Sequence, residues 1–186
     1  KIDKAFSYMK EKPVPEYTFA PEDAITSPVI KEVVGPDAES VTIAFRLPSN
    51  QDKDAALANL VGSILTNGKA GLIDLNLVKK QKLLKASAYS YLLVDHGLLY
   101  ISASPSQGQS LEDVKKLLLN EIENLKKGNF DDDLIPSIVN NIKKHKIQQT
   151  ESYGDRAYML MDAFTGKLNW RDQVAYVNDL SKVTKK

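Results

Sequence analysis

Apolar and polar residues alternate in three short runs, a period of two that predicts β-strands with one buried face. The first run covers residues 41–47 and stops at Pro48, which has no N–H to donate to a sheet. The second and third runs lie within KASAYSYLLVDHGLLYISAS, on either side of the turn-like tetrad VDHG at residues 94–97. The pattern therefore predicts one separate strand and one β-hairpin.

Apolar residues recur at helical spacing in most of the remaining chain, which predicts helices with one buried stripe. Asn67-Gly68 is typical of a helix C-terminus, so the first of these helices is expected to end there. Ser110 followed by Asp113 resembles a capping box, and the aspartates at 131–133 suit the start of the next helix. The predicted helices cover residues 56–65, 72–78, 111–125, 134–142, 153–164 and 170–180.

The first part of the chain has a different character. Residues 1–38 are predicted to form a linker or arm, because EKPVPEYTFAPED contains Pro13, Pro15 and Pro21, which favour an extended backbone. Residues 39–186 are predicted to form a single domain. Its order of strand, two helices, hairpin and further helices is typical of an α+β fold, a two-layer sandwich of a mainly antiparallel sheet and helices.

Composition narrows the classes of function. The chain has 186 residues, a net charge of +1 and no cysteine, which excludes disulfides, thiolate zinc sites and a cysteine nucleophile. No apolar run approaches the about 18 residues that a membrane span needs. The near-neutral charge gives no reason to expect nucleic acid, and the lysines at 79–85 and 143–146 are expected on solvated helix faces.

The stretch LTNGKAGLIDLNL at residues 65–77 raises the question of a phosphate-binding loop. Such a loop needs a glycine, four residues, then Gly-Lys-Ser/Thr directly after a strand. Here five residues separate Gly62 from Gly68, Lys69 is followed by Ala70, and the preceding element is predicted to be a helix. The glycines are therefore interpreted as a hinge between two helices.

No catalytic or metal-binding motif is found. The two histidines, His96 and His145, are far apart and lack the neighbours of a helical zinc pair, and no Gly-x-Ser-x-Gly elbow is present. The three aspartates at 131–133 lack the alternating spacing of a calcium loop. We therefore predict no catalytic residue and no metal ligand or cofactor in this chain.

The first strand of the hairpin is the most suggestive segment for binding. Residues 86–91 combine small side chains with tyrosines, which suits an edge strand that pairs with an added peptide strand. An interior strand with no exposed edge is an equal alternative. The candidate substrate-binding residues are Ala88, Tyr89, Ser90 and Tyr91.

The stretch from residue 41 through LVGSILTNGKAGLIDLNLVKKQKLLKASAYSYLLVDHGLLYISASP resembles the pitrilysin/insulinase family of zinc metallopeptidases. The resemblance extends over residues 35–186 and consists of an ordered pattern: the glycine loop, a short helix with Leu72 and Leu75, and a hairpin with Gly97. The family's H-x-x-E-H zinc motif is absent, and no arginine follows Gly97. In both respects the chain resembles the second, non-catalytic domain of the first half of such an enzyme. This resemblance implies a processing-peptidase-like fold.

This resemblance implies a non-catalytic, substrate-handling and chamber-forming domain of a larger zinc-dependent peptidase that degrades peptides. It implies zinc in the preceding domain and none here. The implied partners are a peptide substrate, anchored by its N-terminal end at residues 86–91, and the catalytic domain of the same chain. Ala88 and Ser90 stand where relatives carry glycines. An inactive structural or partner-binding subunit of the same fold is the alternative, and the parent's compartment, bacterial periplasm or cytoplasm, stays open.

Overall fold

The computed structural model describes residues 1–16, 18, 20 and 22–185. The chain divides after Pro36 into two compact units. In the described part of the first unit the regular element is a short helix, α1 (Ile2–Phe6), which the sequence pattern did not predict. Pro13 and Pro15 lie outside regular secondary structure and are exposed, whereas Pro21 lies outside the described residues.

The second unit is built on a three-stranded antiparallel sheet. Its strands are β1 (Val41–Leu47), β2 (Lys85–Leu92) and β3 (Gly97–Ser104), in the spatial order β1-β3-β2. The hairpin therefore pairs β2 with β3, and β1 joins on the other side of β3. All three strands lie within the segments that the alternating pattern predicts.

In the described residues of this unit, five α-helices and one short π-helix accompany the sheet. The Ser110 side chain caps one helix by accepting a hydrogen bond from the Asp113 N–H at 3.1 Å, as the capping-box pattern predicts. The π-helix forms because the Lys79 N–H donates to the carbonyl oxygen of Asp74, five residues earlier. The elements are α2 (Ala55–Leu65), the π-helix (Asp74–Val78), α3 (Leu111–Lys126), α4 (Leu134–Glu151), α5 (Tyr153–Thr165) and α6 (Trp170–Leu180).

Helices cover one face of the sheet and enclose the core between the two layers. The helix α2 packs on β2, and α3 packs on β1 and β3. The predicted α+β two-layer fold is thus confirmed. The most deeply buried side chains come from both layers and from the connecting segments: Leu65, Ile73, Leu77, Leu83, Ile101, Val114, Leu118 and Leu180.

The glycine loop between α2 and the π-helix does surround an anion, but the anion is the protein's own Asp74. One carboxylate oxygen, Oδ2, accepts hydrogen bonds from the N–H groups of Asn67 (2.8 Å), Gly68 (2.8 Å) and Gly71 (3.2 Å). We call this arrangement the Asp74 cradle. It turns the chain from one helix to the next, which agrees with the predicted hinge, and its donors are already occupied.

Candidate functional site

The predicted binding residues lie together on β2, the strand at one edge of the described sheet. They alternate between the two faces, as a strand requires. Tyr89 and Tyr91 are 50 % and 57 % exposed, whereas Ala88 is buried and Ser90 is half-buried. The sheet therefore separates the tyrosines from the small residues, and each pair has different neighbours.

The tyrosines belong to the sheet face opposite the core. Tyr89 stacks on Tyr100 of β3, with ring centroids 5.0 Å apart and planes 28° from parallel. The Tyr100 hydroxyl lies 3.2 Å from the Thr42 hydroxyl of β1, and Tyr91 stands opposite Leu98. We call this surface the tyrosine face. Its aromatic rings and hydroxyls can contact apolar and polar side chains of a guest.

The small residues of β2 face the protein's own helix α2. The Ser90 hydroxyl donates to the carbonyl oxygen of Ala58 at 2.5 Å. A Cβ atom added to Gly62 would lie 3.1 Å from the Ser90 backbone nitrogen, so helix and strand are in close contact there. This contact between β2 and α2 was not predicted from the sequence. The sequence feature that could have indicated it is a glycine within a predicted helix together with a strand rich in alanine and serine.

The backbone of β2 presents alternate residues to its outer edge, the edge opposite β3. The Leu93 N–H donates to the His96 carbonyl oxygen at 3.1 Å, which places the odd-numbered residues of the strand in hydrogen-bonded pairs with β3. An added strand would pair with the even-numbered residues instead. These are Ala86, Ala88, Ser90 and Leu92.

The outer edge is already occupied at Ala88. The Thr66 hydroxyl accepts a hydrogen bond from the Ala88 N–H at 2.7 Å and donates one to the Ala88 carbonyl oxygen at 2.8 Å. Thr66 directly follows α2, and its own N–H donates to the Gly62 carbonyl oxygen. No sequence pattern indicated this contact, since the two residues are 22 positions apart.

The titratable residues that the sequence singled out are dispersed. His96 lies in the hairpin turn and His145 on α4, and both are exposed. The buried Glu121 accepts hydrogen bonds from the side-chain amides of Asn76 (2.9 Å) and Asn124 (3.2 Å). These bonds give Glu121 a role in holding the fold together. Asp133 begins α4, and Asp132 forms an ion pair with Lys185 at 2.7 Å that lowers the Asp132 pKa.

Among residues 1–16, 18, 20 and 22–185, no group of three or more His, Asp or Glu side chains is arranged to hold a metal ion. We predict that the purified chain binds Zn²⁺ only as weakly as scattered surface groups do, without a stoichiometric site below about 1 μM. Calorimetry of the chain and of a His96→Ala, His145→Ala double variant should give the same weak heats. One equivalent of zinc bound at sub-micromolar affinity would contradict the prediction.

Within the described part of the chain, no helix combines the length and the apolar character that crossing a membrane requires.

The fold resembles solved structures of proteases. A protease from Helicobacter pylori superimposes with a TM-score of 0.73 and 22 % identity over 78 % of this chain. This chain spans 35 % of that protease, about a third of its length. The inactive peptidase domain of a protein assigned as a zinc protease from Bordetella parapertussis gives a TM-score of 0.68 and 16 % identity, covering 78 % of this chain and 79 % of that one.

A further protein assigned as a zinc protease, from Bordetella pertussis Tohama I, gives a TM-score of 0.62 and 18 % identity over 81 % of this chain and 83 % of its own. No curated protein sequence is significantly similar to this chain. These structural neighbours define the fold class of the protein, an α+β domain of helices and a small antiparallel sheet.

The sequence identifies the family within that class. Residues 1–142 match the family described as the Peptidase M16 inactive domain. The chain therefore belongs to this family, which confirms the predicted relation to the pitrilysin/insulinase metallopeptidases. The matched residues include the arm, the sheet, α2, α3 and part of α4.

Proposed function

We propose that this chain is a non-catalytic, substrate-handling and chamber-forming domain of a larger zinc-dependent peptidase that degrades peptides. The observation that carries the proposal is its membership of the inactive-domain family. The likeness to about a third of a complete protease adds support, because a domain of this kind has a place within a longer enzyme. Zinc and the catalytic residues would belong to a preceding domain of the same chain. This domain would then have two partners, the peptide substrate and that catalytic domain.

Peptide binding is proposed at Ala88, Tyr89, Ser90 and Tyr91. Two properties of β2 support this choice: it lies at an edge of the described sheet, and its tyrosines are half exposed on the tyrosine face. Backbone groups at the outer edge would bind the peptide main chain, and the tyrosines would contact its side chains. Contact through one strand alone gives weak affinity, in about the millimolar range.

One observation favours the alternative, an inactive structural or partner-binding role for the same fold. The Ala88 N–H and C=O groups are already paired with Thr66, and α2 lies against Ser90. A protected edge of this kind is typical of strands that avoid pairing with other chains. A direct binding experiment therefore decides between the two roles.

We expect a soluble peptide of alternating valine and lysine to shift the amide signals of Ala86, Ser90 and Leu92 when added to isotope-labelled chain. These amides point to the outer edge, so they report backbone pairing. A peptide N-methylated at alternate residues keeps its side chains but cannot pair and should cause no shifts. NMR titration measures the affinity of the first peptide and shows whether the N-methylated peptide causes any shift.

A Tyr89→Ser, Tyr91→Ser double variant should bind the first peptide about tenfold more weakly, because each ring contributes roughly 0.5–1.5 kcal/mol of contact. The matched control is Tyr153→Ser, Tyr158→Ser, which removes two exposed tyrosines from α5. Equal binding by the double variant and wild type, or shifts confined to other elements, would count against the proposed site.

A further inference from the structure

The outer edge of β2 is closed in its middle by the protein's own chain. A hydroxyl group can donate one hydrogen bond and accept two. Thr66 uses this capacity in both directions on one residue, accepting from the Ala88 N–H at 2.7 Å and donating to the Ala88 carbonyl oxygen at 2.8 Å. Its side chain thus supplies the two groups that the peptide units of an added strand would supply.

The position of Ala88 makes this closure effective. An added strand bonds to alternate residues in succession, so it would need Ala86, Ala88, Ser90 and Leu92. With Ala88 occupied, the outer groups of Ala86 are separated from those of Ser90. The helix α2 further restricts access to the outer edge at Ser90, because Gly62 lies directly against the Ser90 backbone nitrogen.

The segment that carries Thr66 is a connection, not part of the core. Thr66 has extended backbone angles (φ −142°, ψ 132°) and stands between the last turn of α2 and the Asp74 cradle. Its side chain is half-buried, whereas its neighbour Leu65 is fully buried. The Thr66 hydroxyl can therefore leave Ala88 without opening the hydrophobic core.

We infer that Thr66 is an autoinhibitory residue of β2, and that a peptide strand pairs with residues 86–92 only after the Thr66 hydroxyl has left Ala88. The inference rests on the proposed peptide handling by this strand and names what regulates it. An incoming strand must replace two intramolecular hydrogen bonds with two of its own. Binding is consequently weak as long as Thr66 stays in place.

The first test measures the closure itself, without any peptide. In Thr66→Ala the amide proton of Ala88 should exchange with solvent at least about tenfold faster, while that of Tyr89, which faces β3, keeps its rate. Thr66→Ser retains the hydroxyl and should keep the wild-type rate at Ala88. Thr66→Val keeps the shape and removes only the hydroxyl, so it supplies the same exchange test should the alanine variant unfold.

The second test measures access. The valine–lysine peptide should bind Thr66→Ala about tenfold more tightly than wild type, since the variant has no competing hydroxyl. Thr66→Ser should bind like wild type. The N-methylated peptide should gain nothing from the alanine variant, because it cannot use the released Ala88 groups.

The outcomes separate this inference from the proposed function. Unchanged Ala88 exchange in Thr66→Ala, or binding at β2 that is no tighter than in wild type, overturns the autoinhibitory role while leaving peptide handling intact. Absence of β2 amide shifts in wild type and in Thr66→Ala alike overturns the proposed function, and the inference with it. Faster exchange together with tighter binding supports both.

Discussion

Replacing Asp74 by alanine should lower the free energy of unfolding by about 3–5 kcal/mol, a large part of the stability of a domain of this size. The carboxylate accepts three backbone hydrogen bonds and is itself buried, with 8 % of its surface exposed. Alanine leaves the N–H groups of Asn67, Gly68 and Gly71 without their acceptor. Urea denaturation of the purified chain measures the loss.

Two controls make the Asp74 experiment specific. Asp74→Asn keeps an oxygen acceptor without the charge and should lose about half as much stability, since charge-assisted bonds are roughly twice as strong. Asp54→Ala removes an exposed aspartate that begins α2 without a side-chain cap and should change stability by less than about 0.5 kcal/mol. Added formate should restore part of the stability of Asp74→Ala. A loss below about 1 kcal/mol in Asp74→Ala would show that water replaces the carboxylate adequately.

The Asp74 cradle also shows where prediction from sequence reaches its limit. The mismatch in glycine spacing argued against a phosphate loop, and the hinge between two helices was predicted. The binding of the Asp74 carboxylate inside the loop was not predicted, because in the sequence Asp74 is a single polar residue within an apolar helical run. Only the backbone path brings its carboxylate within reach of the three N–H groups.

The regular elements were more predictable than the contacts between them. Strand β1 and helix α6 occupy the predicted residues, because alternation and helical spacing report burial on one face directly. The short helix after the glycine loop was predicted without its π geometry, in which N–H groups bond to carbonyl oxygens five residues earlier, as Lys79 does to Asp74. A sequence period cannot distinguish the two helix types over so few residues.

The candidate site was predictable only in part. The order of the strands, which places β2 at an edge, agrees with one of the two alternatives that the sequence left open. The small residues of β2 were interpreted as room for a guest, but Ser90 bonds to Ala58 and lies against Gly62 of the protein's own helix. Small side chains indicate close approach without identifying what approaches.

Replacing Gly71 by alanine is expected to have the second largest effect, a loss of about 2–4 kcal/mol in the free energy of unfolding. An added Cβ atom would lie 2.6 Å from the Leu65 carbonyl oxygen, 2.7 Å from the Thr66 Cα atom and 2.8 Å from the Asp74 carboxylate. Two of these neighbours are backbone atoms of the turn after α2. The methyl group cannot be accommodated without separating Thr66 from the Asp74 cradle.

Gly68→Ala is the matched control. Gly68 lies in the same loop, but alanine there loses stability through backbone strain and not through a steric clash. Gly68 has φ +74° and nothing within 4 Å of an added Cβ atom, so alanine there suffers only backbone strain, about 1–2 kcal/mol. Gly71→Ala should also speed the exchange of the Ala88 amide proton, since displacing Thr66 breaks its bonds to β2. Denaturation and hydrogen exchange together test the argument. If Gly71→Ala were no less stable than Gly68→Ala and left Ala88 protected, the steric coupling between the glycine loop and the β2 edge would be refuted.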